Sequence, residues 1–564
     1  MNRLIPCLAI LFLVACGDST NETAQETTPP SPATQSVSQT ADEPGPVADL
    51  LARIDAEPAM LWLSLEPLPA VLLDRLWQQL SLASDLNEQV YEEMAETTED
   101  PLLRALFNEF STLNSPEAWA ERGIAIEGVA AAHSVGLFPL LHWELSDADA
   151  FAATLARLEE ESETPLPRRE IDGEELLWLP LDDLGMALHH DEQFVTVGLV
   201  ADRPDLLRRV ANLDKPQSAL QIAQVNAFNS ARGLRNDNAG FVDFQRLVGQ
   251  LLDGEDEWLV AARAQGPLAE LAGDAACRAE LEALTGTFPR KVFGTTQADE
   301  RSMSVLARFE TSPDFGRRLA ALADSPLALE TENAGLLYVG LAFNIVAGRD
   351  FARDLVAGWV ETPPECFLFA GVAEQSGDWQ LALNRPIPPL VTNLHGLRLR
   401  IDTLSLADGE LAELAGTVAL FMRNPQMMLG MAQMFSPELA ALDLRPGGDP
   451  QPLPPGLVPN LDGIAAWLGL SEAGLGLAMG DDSRLPSALE AGSSDRHIFA
   501  GGVDLSAYSE LMQLGLANVP GGQQQAAEAA ETMELLAAIY SYLHKSVALS
   551  EDGIDFLFGF EIAD

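Results

Sequence analysis

Lysine is almost missing from this chain of 564 residues: it occurs only at Lys215, Lys291 and Lys545, and the rest of the 33 basic residues are arginine. Against them stand 85 Asp and Glu, a formal net charge of -52. A surface of that sign repels nucleic acid and anionic lipid alike, so nucleic-acid binding is excluded as a main function. So acidic and lysine-poor a composition fits a solvated surface facing salt or alkali outside the cell. Several motifs of chemistry are also missing. There is no Gly-x-Gly-x-x-Gly, no phosphate loop, no Ser-x-x-Lys and no His-Glu-x-x-His. The Asp-x-Asp-x-Asp-Gly pattern of a calcium loop is absent too, and Asp172-Gly173, Asp253-Gly254 and Asp552-Gly553 read as turns. No cofactor is implied.

Cysteine is scarce, and its four positions divide by place. Cys7 and Cys16 lie in an N-terminal segment, which leaves Cys277 and Cys366 for the folded part. Two thiols in an oxidising compartment invite one disulfide; the alternative is two separately buried free thiols. A bridge would close a loop of 89 residues.

The N-terminal segment has a single Arg3, an apolar run from Leu4 to Leu13 and a small Ala15, the layout of a secretory signal. Its apolar run is about half the roughly 20 residues that a membrane-spanning helix needs. Leu13-Val14-Ala15-Cys16 resembles the lipobox of bacterial lipoproteins, over about the first 20 residues. The resemblance implies a signal peptide at 1–15, a diacylglyceryl group on the Cys16 thiol, cleavage before Cys16 and acylation, such as palmitate, of its new amine. Two or more chains give a stable anchor where one does not. Gly17 stands where inner-membrane retention favours Asp, so the implied address is the outer membrane, periplasmic face; Asp18 one place later leaves the inner membrane as the alternative. Residues 16–46 are Thr, Ser, Gln, Glu and Pro with few apolar side chains, a composition that stays disordered and serves as a tether spreading by about 30 Å.

The chain's 47% hydrophobic content is ample for a large core, and from Val47 one device recurs. An apolar strand runs into Asp, Asn, Ser or Pro and then into a helix of 3.6 period. Such joints follow Leu61–Leu65, Leu140–Leu145, Val195–Leu199, Val305–Phe309, Thr417–Phe421, Leu475–Met479 and Ile498–Val503. They fall twice in the same order, matching Trp62 with Tyr338, Leu141 with Leu420 and Thr196 with Gly476. Each half closes on a hairpin, Val292 to Phe309 and Ser546 to Phe560. The expectation is an α+β protein of two similar lobes, 47–325 and 326–564, from internal duplication, with mostly antiparallel sheets covered by helices on one face.

Candidate chemistry is thin. His189-His190-Asp191-Glu192 is the densest cluster of potential metal ligands, but it reads as two strands around a turn at Asp191-Glu192, where successive side chains point apart. No metal site is expected. Ala132-His133-Ser134-Val135-Gly136 lacks the first Gly of a nucleophile elbow, and Glu159-Glu160-Glu161 fits the solvated face of a helix. Met422, Met427, Met428, Met431 and Met434 form either a core stripe or an adaptable apolar surface. The expectation is therefore a lipid-anchored, non-catalytic binding or scaffolding protein of the periplasm whose partner is an envelope protein. A carrier or sensor of an apolar ligand is the alternative, and an envelope hydrolase the second.

Overall fold

The structure is a computed structural model describing residues 45–82, 91, 94–98, 100–181, 184–264, 266–325, 327–329, 335–407, 410–454, 464–492, 496–505 and 536–563. Cys16, the signal segment and nearly all of the tether lie outside them. The fold is α+β, and every strand pairing within it is antiparallel.

The strands of the first half are β1 (Met60–Ser64), β2 (Ala130–Val135), β3 (Phe138–Glu144), β4 (Arg168–Ile171), β5 (Glu174–Leu181), β6 (Leu184–His190), β7 (Phe194–Ala201), β8 (Ala239–Asp243), β9 (Arg290–Ala298) and β10 (Ser302–Glu310). Those of the second are β11 (Leu337–Ala342), β12 (Leu394–Ala407), β13 (Glu410–Met422), β14 (Gln451–Pro452), β15 (Ala466–Leu470), β16 (Gly474–Met479), β17 (His497–Asp504), β18 (Tyr540–Leu549) and β19 (Gly553–Ile562). From one edge the order is β4-β5-β6-β7-β3-β2-β1-β8-β9-β10. It continues through the β10–β19 pair into β19-β18-β17-β11-β12-β13-β16-β15-β14. Read outward from that pair, nine strands of each half occupy the same places in the same chain order; β4 is the extra strand.

Local chemistry explains the joints. Asp147 accepts from Ala150 N and starts helix Ala148–Ser162 after β3; Asn424 accepts from Met427 N and starts Pro425–Phe435 after β13. A side-chain oxygen there satisfies one of the free N–H groups of a first turn, and Pro425 gives up none that was bonded. The β4–β5 turn places Asp172 at φ 50° and Gly173 at φ 94°, the two left-handed positions of a tight hairpin. Between β8 and β9 stand four helices: Phe244–Asp253, Glu257–Arg263, Gly266–Gly273 and Ala275–Thr287. Asp256 and Asp274 cap the second and fourth.

Helices cover both faces of the first half, not one. Leu206, Leu207 and Val210 of helix Pro204–Val210 pack on Leu140 and Val200, while Phe151 and Leu155 pack on Trp143, Val195 and Val197. Even and odd positions of one strand lie on opposite faces, so the two helices lie on opposite sides. On the first of these faces the halves agree again. A Cβ on Gly198 would come within 2.9 Å of Val210, and one on Gly476 within 2.8 Å of Leu485 in helix Leu485–Ala488. A glycine in the same strand position lets the following helix approach.

The expected match of Trp62 with Tyr338 is one residue out of phase. Tyr338 is core, packed with Leu327, Leu329 and Phe421, whereas in β1 it is Leu61 and Leu63 that pack with Leu50, Leu51 and Ile54. The Trp62 indole points the other way and donates to Asn238 Oδ1 at 2.7 Å. With a side-chain period of two, a shift of one exchanges faces.

Cys277 and Cys366 are joined in a disulfide, Cα–Cα 4.4 Å. It ties helix Ala275–Thr287 of the first half to the start of helix Ala370–Leu383 in the second, and both cysteines are buried with Leu252 and Leu271. Glu280 adds a second tie by accepting from Glu365 N at 2.7 Å. Closing 89 residues stabilises by roughly 4 to 5 kcal/mol in the chain-entropy model. Replacing both cysteines by alanine is therefore expected to lower unfolding free energy by several kcal/mol in urea titration; an unchanged midpoint would contradict it.

Candidate interaction surface

The histidine cluster does not converge. His189 turns inward and its Nδ1 lies 3.2 Å from Glu175 O, whereas neighbouring His190 faces Phe151 on the other side of β6, ring centroids 5.4 Å apart. Asp191 is engaged by the turn, accepting from Gln193 N and Phe194 N, and by Arg53 at 2.8 Å. Among the described residues no group of three His, Cys, Asp or Glu is placed to hold a metal ion. Ser134 is equally occupied: its buried Oγ accepts from Ala59 N and Met60 N at 3.0 and 3.1 Å, which fixes the entry into β1.

A different pair comes together instead. His133 on β2 and His142 on β3 are diagonal neighbours across the hairpin, Nε2 to Nε2 3.0 Å, and His142 Nδ1 lies 2.9 Å from Thr196 Oγ1 on β7. Both rings are 1% exposed. One nitrogen of the contact must donate and the other accept, so the pair is stable only while at least one ring is neutral. Burial is the main cause that keeps them so. It pushes His133 down to about 3, aided by Arg209, and holds His142 well below its ordinary value, aided by His133, Arg53 and Arg209. Those arginines are themselves paired, Arg53 with Asp191 and Arg209 with Asp55. The arrangement is a neutral polar tie across three strands. The spacing of His133 and His142 around Gly136 carried the signal, since a tight β2–β3 hairpin sets such positions diagonally on one face.

The methionine stripe divides. Met422 is buried, but helix Pro425–Phe435 buries only Pro425 and Leu429 and leaves Met427 44%, Met434 75% and Phe435 88% exposed. No charged residue occurs in that helix. The hairpin of helices Ile345–Glu361 and Ala370–Leu383, braced by a Trp359–Trp379 contact at 6.1 Å, exposes Phe367, Leu368 and Leu381 as well. Among the described residues, eight of the fourteen large exposed apolar side chains thus sit on helices Ile345–Glu361, Ala370–Leu383 and Pro425–Phe435 or on the turn Phe367–Phe369 between the first two. Scattered apolar residues are ordinary on a surface, but groups of them mark places where something docks.

No protein-family model matches the chain, and no curated protein does. A solved structure of TP0453, in its crystal form III, is similar at 8% identity over 50% of this chain and 89% of that one, with a TM-score of 0.23. A likeness that slight leaves fold and function to be argued from this chain itself. No described helix is long and apolar enough to cross a membrane.

The histidine pair predicts a pH dependence. A base whose folded pKa lies below its unfolded value near 6.5 contributes stability that is complete above that pH and is lost as pH falls toward about 3. Melting temperature is expected to fall from pH 6.5 to 4.5, and a His133→Gln, His142→Gln variant to have a shallower slope over that window. Equal slopes in the two proteins would show that the pair does not titrate on unfolding.

Proposed function

We propose that the chain is a lipid-anchored protein of the cell envelope, held at the periplasmic face of the outer membrane through Cys16, with a non-catalytic binding or scaffolding role. The observation that carries the binding role is the set of exposed apolar side chains on helices Ile345–Glu361, Ala370–Leu383 and Pro425–Phe435. The partner we favour is another envelope protein, because -52 charges repel an anionic lipid surface. Met427, Met434 and Phe435 form a flexible, polarisable apolar face suited to such a contact. The same proposal takes the halves 47–325 and 326–564 as products of one duplicated unit, which the shared strand order and the glycine-aided helices support.

Two variants separate anchor from partner. Cys16→Ser is expected to leave the protein unlipidated and outside the membrane fraction; recovery in detergent extracts would refute the anchor. Met434→Ser with Phe435→Ser is expected to stay membrane-bound but to lose, about tenfold or more, a partner captured by crosslinking from the intact envelope. Capture at the wild-type level would refute this surface as the docking site.

A further inference from the structure

In the first half, helix Ala148–Ser162 after β3 is flanked by two helices from the segment between β1 and β2, Pro101–Ser111 and Pro116–Glu121. Glu109 of the first accepts from Arg157 at 2.7 Å, Asn108 donates to Glu161 at 2.8 Å, and Ala105 is buried. Arg122, closing the second, donates to the same Glu109, and Trp119 stacks on Trp143 of β3, ring centroids 6.2 Å apart. Behind this cover Phe151, Thr154, Leu158 and Ser162 are all buried.

The second half has the matching helix, Pro425–Phe435 after β13, but the segment in the matching place packs elsewhere. Between β11 and β12 stand Ile345–Glu361 and Ala370–Leu383. The first leans on helix Pro313–Ala320, through Phe315 and Phe351 at 5.6 Å and through Arg318 with Asp354, while Cys366 holds the chain between the two to Cys277. Counted from the caps Asp147 and Asn424, Leu158 matches Phe435 and Arg157 matches Met434. Leu158 is 7% exposed and Phe435 88%. Leu420 pairs with Leu475 beside Gly476 as Leu141 pairs with Val197 beside Gly198, so it lies on the face that helix Ala148–Ser162 covers in the first half, and it is 38% exposed. The flank that a helix covers in the first half is thus open in the second.

The open surface defines what fits it. Met427, the half-buried Met431, Met434 and Phe435 recur at i, i+4, i+7 and i+8, one stripe of 3.6 period, and such a stripe takes the apolar side of another helix. Where Arg157 takes a carboxylate of the covering helix, Met434 offers only an apolar side chain. An acid in the place of Glu109 would find no cation on helix Pro425–Phe435 and would meet a body of net charge -52. We propose that helix Pro425–Phe435 is the docking site of an amphipathic helix from a partner protein, apolar towards the methionine stripe and flanked by basic or uncharged side chains. This site deepens the docking role above, on which it rests, to one surface and one class of partner.

Fluorescence anisotropy on the full chain carrying Cys16→Ser tests it at physiological salt, where the Debye length is about 8 Å. The probe is a synthetic peptide of about 18 residues, roughly five turns, with leucine in a stripe of 3.6 period and lysine and glutamine elsewhere. The control has the same composition in strict alternation. Saturable binding of the helical peptide is expected, at least tenfold tighter than the control, with shifts of the Met427, Met431 and Met434 methyl signals in NMR. Adding Met434→Ser and Phe435→Ser is expected to weaken it tenfold or more while the protein melts within a few degrees of its parent, since both side chains are exposed. Phosphatidylcholine vesicles are expected not to bind. The proposal is overturned if the helical peptide gives no saturable binding, if the control binds as tightly, if the added substitutions change nothing, or if vesicles bind the parent and not the variant. A helical peptide that fails while crosslinking from the envelope still depends on Met434 and Phe435 would refute the helical partner and leave the docking role standing.

Discussion

The pairing of β10 with β19 is the constraint on which the rest of the architecture hangs. Nine residue pairs, Ser302 with Glu561 through Glu310 with Gly553, make two sheets into one. Arg308 reinforces the seam by a two-pronged contact with Asp555, Nε at 2.5 Å and Nη2 at 2.6 Å, a geometry that a lysine would not reproduce. Because each closing strand would otherwise end a sheet with a row of open N–H and C=O groups, their mutual pairing removes two exposed edges at once. The disulfide between Cys277 and Cys366 is a second link between the halves, made by helical segments rather than strands. Sheet and cap are joined independently, so the halves cannot swing apart by yielding at one place.

Electrostatics follows a like economy. A chain this acidic would repel itself strongly, yet its few cations sit beside acids as guanidinium groups: Arg122 with Glu109, Arg235 with Asp237, Arg290 with Asp243 and Arg400 with Asp402. Asp237 and Asp243 are nearly buried, where an unpaired carboxylate would be costly, and arginine's planar fork meets a carboxylate with two donors at once. The buried histidines are instead kept uncharged, as His133, His142 and, down to about 4, His544 show.

Much of this was legible in the chain because the relevant chemistry is local. Caps such as Asp147 and Asn424 and the turn at Asp552-Gly553 announce elements within four residues of themselves, and the strand-to-helix joints follow from them, except that the helix expected after Ile498–Val503 lies outside the described residues. What was missed depends on partners distant in sequence. The face on which Trp62 lies is decided by Leu50 and Ile54 packing on its neighbours, and alternation alone permits either phase. Whether a methionine stripe is core or surface depends on what packs against helix Pro425–Phe435, which its own sequence does not contain.

The central claim, that both halves form one continuous sheet through β10 and β19, is tested most directly by amide hydrogen exchange on the full chain read by mass spectrometry. Peptides covering Ser302–Glu310 and Gly553–Ile562 are predicted to exchange as slowly as the interior strands β1 and β11, because β10 lies between β9 and β19, and β19 between β10 and β18. Exchange of those two peptides at the rate of open sheet edges, with β1 and β11 still protected, would show two separate sheets and contradict the account.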